Sequence, residues 1–270
     1  MARSSKATIA VSKSSQVEAP ITPLHIPRSA RGIILFGGAF DPPHKWHTRV
    51  AVAARRQLFP RDGWIVFVPT GRSPLKAGPV ASAADRVAML RLATKRLKRV
   101  RIWTDEIDRG EFAASGGRGG SKGRGRTDSA GARPSYTIDT VRRLRQIVAV
   151  DLPIRLLIGA DQAVQFHKWR DFRELLTLAE PVVVPRPPID SAKKFLAALR
   201  QSGAWVSSAA DDWRARLIST AASRVSSSEV RRVLSAGGKG ETSMSPAVAN
   251  FTRRTRLYRP ELSLYQLPVR

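Results

Sequence analysis

No cysteine occurs among the 270 residues. Disulfides, zinc–thiolate sites and a cysteine nucleophile are thereby excluded, and the composition fits a reducing, cytoplasmic setting. No apolar run approaches the roughly 20 residues that span a bilayer, so no membrane association is expected. The N-terminus has no apolar core of the kind a secretory signal carries. Acids are scarce: 21 Asp and Glu face 47 Lys and Arg, a formal net charge of +26. An excess of that sign attracts polyanions such as nucleotides or nucleic acid. Much of it lies in segments too polar to bury a core, so it speaks first to solubility.

Two stretches have that polar character. Residues 1–31 are rich in Ser, Ala, Lys and Arg, with Glu18 the only acid. They have no sustained period and read as a flexible basic tail, whose removal (residues 1–30) is expected to leave activity intact. Their composition also suits an organelle transit peptide, the second reading. Around Gly116–Arg126, Gly-Gly-Arg-Gly-Gly-Ser-Lys-Gly-Arg-Gly-Arg marks a low-complexity insertion expected over about 109–133. Weak RNA contact through its arginines is the lesser reading, and a tolerated surface loop the main one.

Between these stretches, short apolar runs alternate with helical patterns. Strands are predicted at about 32–37, 64–68, 100–103, 154–158 and 181–184, with short ones near 204–207 and 215–219. Helices are predicted at about 44–59, 83–97, 137–149, 161–166, 171–178, 190–202, 226–236 and 245–256. Such alternation implies one α/β domain over 32–259, a Rossmann-like doubly wound parallel sheet covered on both faces, with a C-terminal tail at 260–270. Ligands in such sheets bind at the carboxyl ends of the strands.

The chemistry concentrates where the first strand ends, in Gly37-Gly38-Ala39-Phe40-Asp41-Pro42-Pro43-His44-Lys45-Trp46-His47. Gly37 and Gly38 let a backbone approach a ligand closely. The following helix start offers free N–H groups and positive potential to a polyphosphate. His44 and His47, three apart, share a helix face and can aim at one phosphate.

This stretch resembles the GGxFxPxHxGH signature of a nucleotidyltransferase superfamily. Trp46 stands where that family has glycine, and Ala39 where it often has Ser or Thr. Further motifs follow in order: Val68-Pro69-Thr70, Ser73-Pro74-Leu75-Lys76, Asp85-Arg86-Val87, Pro134-Ser135-Tyr136-Thr137-Ile138-Asp139-Thr140, Leu157-Ile158-Gly159-Ala160-Asp161, His167-Lys168-Trp169 and Val225-Ser226-Ser227-Ser228-Glu229-Val230-Arg231. Together, over about 32–258, they are similar to bacterial nicotinate-nucleotide adenylyltransferases.

The resemblance implies adenylyl transfer from ATP, with Mg2+, to nicotinate mononucleotide, giving deamido-NAD and pyrophosphate. The acceptor's own phosphate is the nucleophile. His44, His47 and Arg231 would be catalytic. Gly37, Gly38, Phe40, Gly159, Asp161, Ser226, Ser227 and Ser228 would hold ATP. Lys76, Tyr136, Thr137 and Trp169 would hold the acceptor, with Trp169 stacked on the pyridine ring. Arg86 and Asp139 would orient the surroundings. No protein metal ligands are implied. Each residue also has a plain structural reading: Ser226, Thr137 and Asp161 as helix caps, Trp169 as core, Lys76 as a solvated loop lysine. Two further readings keep the fold. One has the amide nucleotide as acceptor. The other is a homologue impaired by Trp46 and Ala39, whose basic segments contact RNA.

Overall fold

The computed structural model describes residues 18–71, 78–115, 134–205, 207–220 and 225–259. Strand β1 (Gly32–Gly38) leads to helix α1 (Lys45–Leu58), β2 (Gly63–Pro69), α2 (Ala83–Thr94), β3 (Val100–Ile102) and α3 (Asp105–Ala114). Then come α4 (Thr137–Arg145), β4 (Ile154–Gly159), α5 (Ala160–Val164), a 3-10 turn (Phe166–Lys168), α6 (Phe172–Leu178) and β5 (Glu180–Val184). Helices α7 (Ala192–Gln201), α8 (Ser207–Ala215), α9 (Ser227–Ser235) and α10 (Pro246–Arg254) follow. The strands form one sheet in the order β3-β2-β1-β4-β5. Every pairing is parallel. The chain winds outward from β1 in one direction, then returns to β4 and winds the other way. The sheet is therefore doubly wound, and its switch point lies between β1 and β4.

Alternation along each strand divides the core. Ile33 and Leu35 of β1, with Ile154, Leu156 and Ile158 of β4, pack against Ile138, Val141 and Leu144 of α4 and against Phe166, Phe195 and Trp213. Ile34 of β1, with Ile65 and Phe67 of β2, faces Val50, Ala51 and Ala54 of α1. A third cluster joins Met89 of α2 to Val230, Leu234, Val248 and Tyr258, and so fixes α9 and α10 beside α2.

Three boundaries differ from the sequence reading. The folded domain includes residues well before 32. Ile21, Leu24 and Ile26 pack against the first cluster. Trp103 Nε1 donates to Thr22 O at 2.9 Å and Arg101 Nε to His25 O at 3.1 Å, so this segment lies beside the edge strand β3. Pro20, Pro23 and Pro27 favour an extended path without helical or sheet periodicity, which is why periodicity does not reveal it. Second, α3 runs through Ala114, so positions 109–114, expected in the insertion, are helical. Third, the expected strand near 204–207 is replaced by α8 from Ser207. Near 215–219 only Leu217 makes a bridge, parallel to Val183.

Candidate active site

The glycine loop and the two histidines follow the carboxyl end of β1, and Gly159 and Asp161 lie at that of β4. Phe40 takes a positive φ of 50° and turns the chain sharply after Gly38. Its ring is buried and meets His47 edge-on at 5.1 Å, with Phe36 and Phe67 behind it at 5.6 Å. Phe40 thus supports the histidine from beneath. A Cβ at Gly37 would meet no atom within 4 Å, so protein packing does not demand glycine there. Glycine instead leaves open space at the strand end, where a ligand can approach the backbone.

Asp41, which the sequence reading left out of the site, anchors this loop. Its carboxylate accepts from the N–H groups of Val80 (2.8 Å) and Ala81 (3.1 Å) and from the Tyr258 hydroxyl (2.7 Å). Arg231 donates to Asp41 O at 2.6 Å and to Ser228 Oγ at 3.2 Å, and its guanidinium lies 3.6 Å from the Asp41 carboxylate. Arg86 donates to Ala39 O at 2.9 Å. Ser227 donates to Pro42 O at 2.9 Å, while Ser226 Oγ caps α9 by accepting from Glu229 N at 3.2 Å. The α9 motif is therefore joined directly to the glycine loop.

His44 occupies the N-cap of α1. The two imidazoles are stacked, with centroids 3.7 Å apart. The His44 N–H donates to His47 Nδ1 at 3.1 Å. That bond assigns the proton of a neutral His47 to Nε2, leaving it a donor. His44 Nδ1 is buried without a partner. Burial, helped by the Arg186 guanidinium, lowers the His44 pKa to about 4. Burial first, then His44 and Arg186, holds His47 well below its ordinary value. Both rings are uncharged at neutral pH.

This has a sign that can be tested. From about pH 6.5 down to about 4 these two histidines bind protons in the unfolded chain that they refuse in the folded protein, so their contribution to stability falls as pH falls through that window. His44 alone contributes on the order of 3 kcal/mol. Urea unfolding at pH 7 and pH 5 is expected to show the loss, and His44→Gln to reduce it. An equal loss in the variant contradicts the assignment.

On the other side of the switch point, Asp161 Oδ1 is buried without a partner, close against Gly159, where a Cβ would lie 2.4 Å from it. Arg186, at the carboxyl end of β5, also approaches Gly159. It is exposed and was missed in the sequence, where one loop arginine among many gives no signal. Thr137 begins α4, after Tyr136 at the N-cap. The Arg170 guanidinium lies 4.9 Å over the Tyr136 ring, which brings Tyr136 beside the segment carrying Trp169. Trp169 is half-buried and stacks on Phe166 at 4.9 Å. Asp139 lies 3.5 Å from Arg142. Trp46 is half-buried against the apolar cluster that includes Ile34 and Val50. Lys76 lies outside the described residues.

The doubly wound sheet, the histidine pair at the start of α1 and the arginine of α9 define a nucleotidyltransferase. The cytidylyltransferase-like family model matches residues 35–233, and the chain belongs to that family. Within it, a Laribacter hongkongensis protein named as a nicotinate-nucleotide adenylyltransferase is 30% identical, covering 87% of this chain and 97% of its own. One of Neisseria gonorrhoeae with the same name is 32% identical over 83% of this chain and 96% of its own. The chain is a member of the nicotinate-nucleotide adenylyltransferase family. The fold also matches a Plasmodium falciparum nicotinic acid mononucleotide adenylyltransferase solved with NaAD, at a TM-score of 0.56 and 14% identity, over 84% of this chain and 97% of that one.

Proposed function

We propose that the protein transfers the adenylyl group of ATP to nicotinate mononucleotide, releasing pyrophosphate and forming deamido-NAD. The stacked, neutral histidine pair beside the open glycine loop is the observation that carries this reading. The acceptor's phosphate oxygen attacks the α-phosphorus in line, and the bond to the β-phosphate bridging oxygen breaks. No enzyme nucleophile is required, so the protein's work is positioning and charge stabilisation. His47 Nε2–H donates to the oxygens of the α-phosphate as charge develops there, and His44 lies against it. Arg231 turns from the loop carbonyl to the β- and γ-phosphates, which its planar fork suits. The hydroxyls of Ser227 and Ser228 join it, while Ser226 keeps α9 capped. Gly37 and Gly38 admit the phosphates, and Gly159 and Asp161 lie on the nucleoside side.

Mg2+ enters with the triphosphate as part of the substrate, held by phosphate oxygens and water. Among the described residues no cluster of three or more His, Cys, Asp or Glu is placed to hold it. No described helix is long and apolar enough to cross a membrane.

Trp169, backed by Phe166, stacks on the pyridine ring, and Tyr136, Thr137 and the start of α4 receive its carboxylate. Trp169→Ala is expected to raise the KM for nicotinate mononucleotide about tenfold, the scale of one lost ring stack, with the KM for ATP within about twofold by the same reasoning. Equal effects on both substrates contradict the assignment.

A further inference from the structure

Glu106 lies beside this acceptor side and belongs to none of the motifs above. It sits in the first turn of α3, 7% exposed. The Thr140 hydroxyl of α4 donates to its Oε1 at 2.7 Å. Thr140 Oγ1 in turn accepts from Arg109 at 2.9 Å, and Glu106 is the nearer of the two acceptors for its proton, Tyr136 O lying at 3.5 Å. The Gly71 backbone, just beyond β2, lies against Glu106, and its N–H favours the ionised carboxylate. Contact is close there: a Cβ on Gly71 would lie 2.5 Å from Glu106 O and 3.1 Å from Ser135 Oγ. Three segments therefore meet at one buried glutamate: the end of β2, the start of α3, and the stretch Ser135–Thr140 that carries Tyr136 and Thr137. Burial pushes this carboxyl up, and Thr140, Arg109 and the Gly71 N–H hold it back by favouring the ionised form.

We infer that Glu106 is a positioning residue for the acceptor: by joining Gly71 to Thr140 it sets where the start of α4 presents Tyr136 and Thr137 to the pyridine carboxylate. The inference rests on the proposed function and adds a determinant to it. None of these bonds is made to the histidine pair or Arg231, so the larger effect is expected on the acceptor.

Glu106→Gln keeps the volume and alters the pairing. One carboxylate oxygen becomes an NH2 donor, so an acceptor position and the charge are lost. The KM for nicotinate mononucleotide is expected to rise about tenfold, the scale of one lost hydrogen bond to a charged group, with the KM for ATP within about twofold. Thr140→Val, which removes the donor, is expected to do the same, and Thr140→Ser, which restores it, to return the acceptor KM to near the parent value. This pair decides the matter if Glu106→Gln does not fold. An equal rise for both substrates, no rise for either, or failure of Thr140→Ser to restore acceptor binding overturns the inference. The parent is assayed alongside with the acid and amide mononucleotides. A parent inactive with both overturns the functional reading and this inference with it, whereas an active parent with unselective variants overturns this inference alone.

Discussion

His47→Ala is expected to lower kcat for adenylyl transfer by about a thousandfold, the effect of deleting one donor aimed at developing charge. The reason is local. The His44 N–H occupies Nδ1 of His47 and fixes the remaining proton on Nε2. Its ring is held against Phe36 at 5.9 Å and Phe40 at 5.1 Å. The KM for ATP is expected to change less than kcat, because the contact strengthens as the α-phosphate takes on charge. His47 also fills space between aromatic rings, so circular dichroism must show the variant folded. A folded His47→Ala variant turning over within about tenfold of the parent contradicts the role assigned to the pair.

The second large effect concerns stability. Asp105 is fully buried, takes two hydrogen bonds from Arg143, at 2.8 and 2.9 Å, and forms an ion pair with Arg109 at 3.1 Å. Arg143 goes on to Glu18 Oε1, Ala19 O and Pro20 O, and Asp105 accepts from the Thr22 N–H. The N-terminal segment is thus fastened through one buried ion pair. Asp105→Ala leaves two arginines facing each other with their shared carboxylate gone. A loss of about 3–5 kcal/mol is expected, a large part of the usual margin of about 5–15 kcal/mol. The sequence alone suggests that residues 1–30 are dispensable for activity, but their removal takes away Thr22, Glu18 and the apolar cover of Ile21, Leu24 and Ile26, and is instead expected to lower Tm and weaken acceptor binding through α3 and α4. A truncation ending before Glu18 keeps the network. Equal stability of the two truncations in urea unfolding contradicts the fastening.

That segment also marks where the sequence was hard to read. Ile21, Leu24 and Ile26 are separated by prolines, so they follow neither a period of 2 nor one of 3.6, and their partners Trp103 and Arg143 are distant in sequence. Strands β1, β2, β4 and β5 were legible because each is a short apolar run that ends at Gly or Pro. The glycine loop and the histidine spacing were legible because three local requirements (turn, backbone approach, shared helix face) coincide within eleven residues. Asp41 was visible as a motif letter, but its work depends on Tyr258 and Arg231, more than 180 positions away. Glu106 and Arg186 gave no signal, since an acid at a helix start and an arginine in a loop are commonplace until the fold sets them beside Thr140 or the histidines. Trp46 departs from the family glycine, and its half-buried packing against the α1 cluster, which only the tertiary structure reveals, is how the chain accommodates it.

The most direct test of the proposed reaction is pyrophosphate release by the purified protein with ATP, Mg2+ and nicotinate mononucleotide, run beside the amide nucleotide and with the dinucleotide product identified. Release with the acid form, matched one to one by deamido-NAD, is the predicted result. Release with the amide form alone, or none with either by a folded protein that binds ATP, would contradict it.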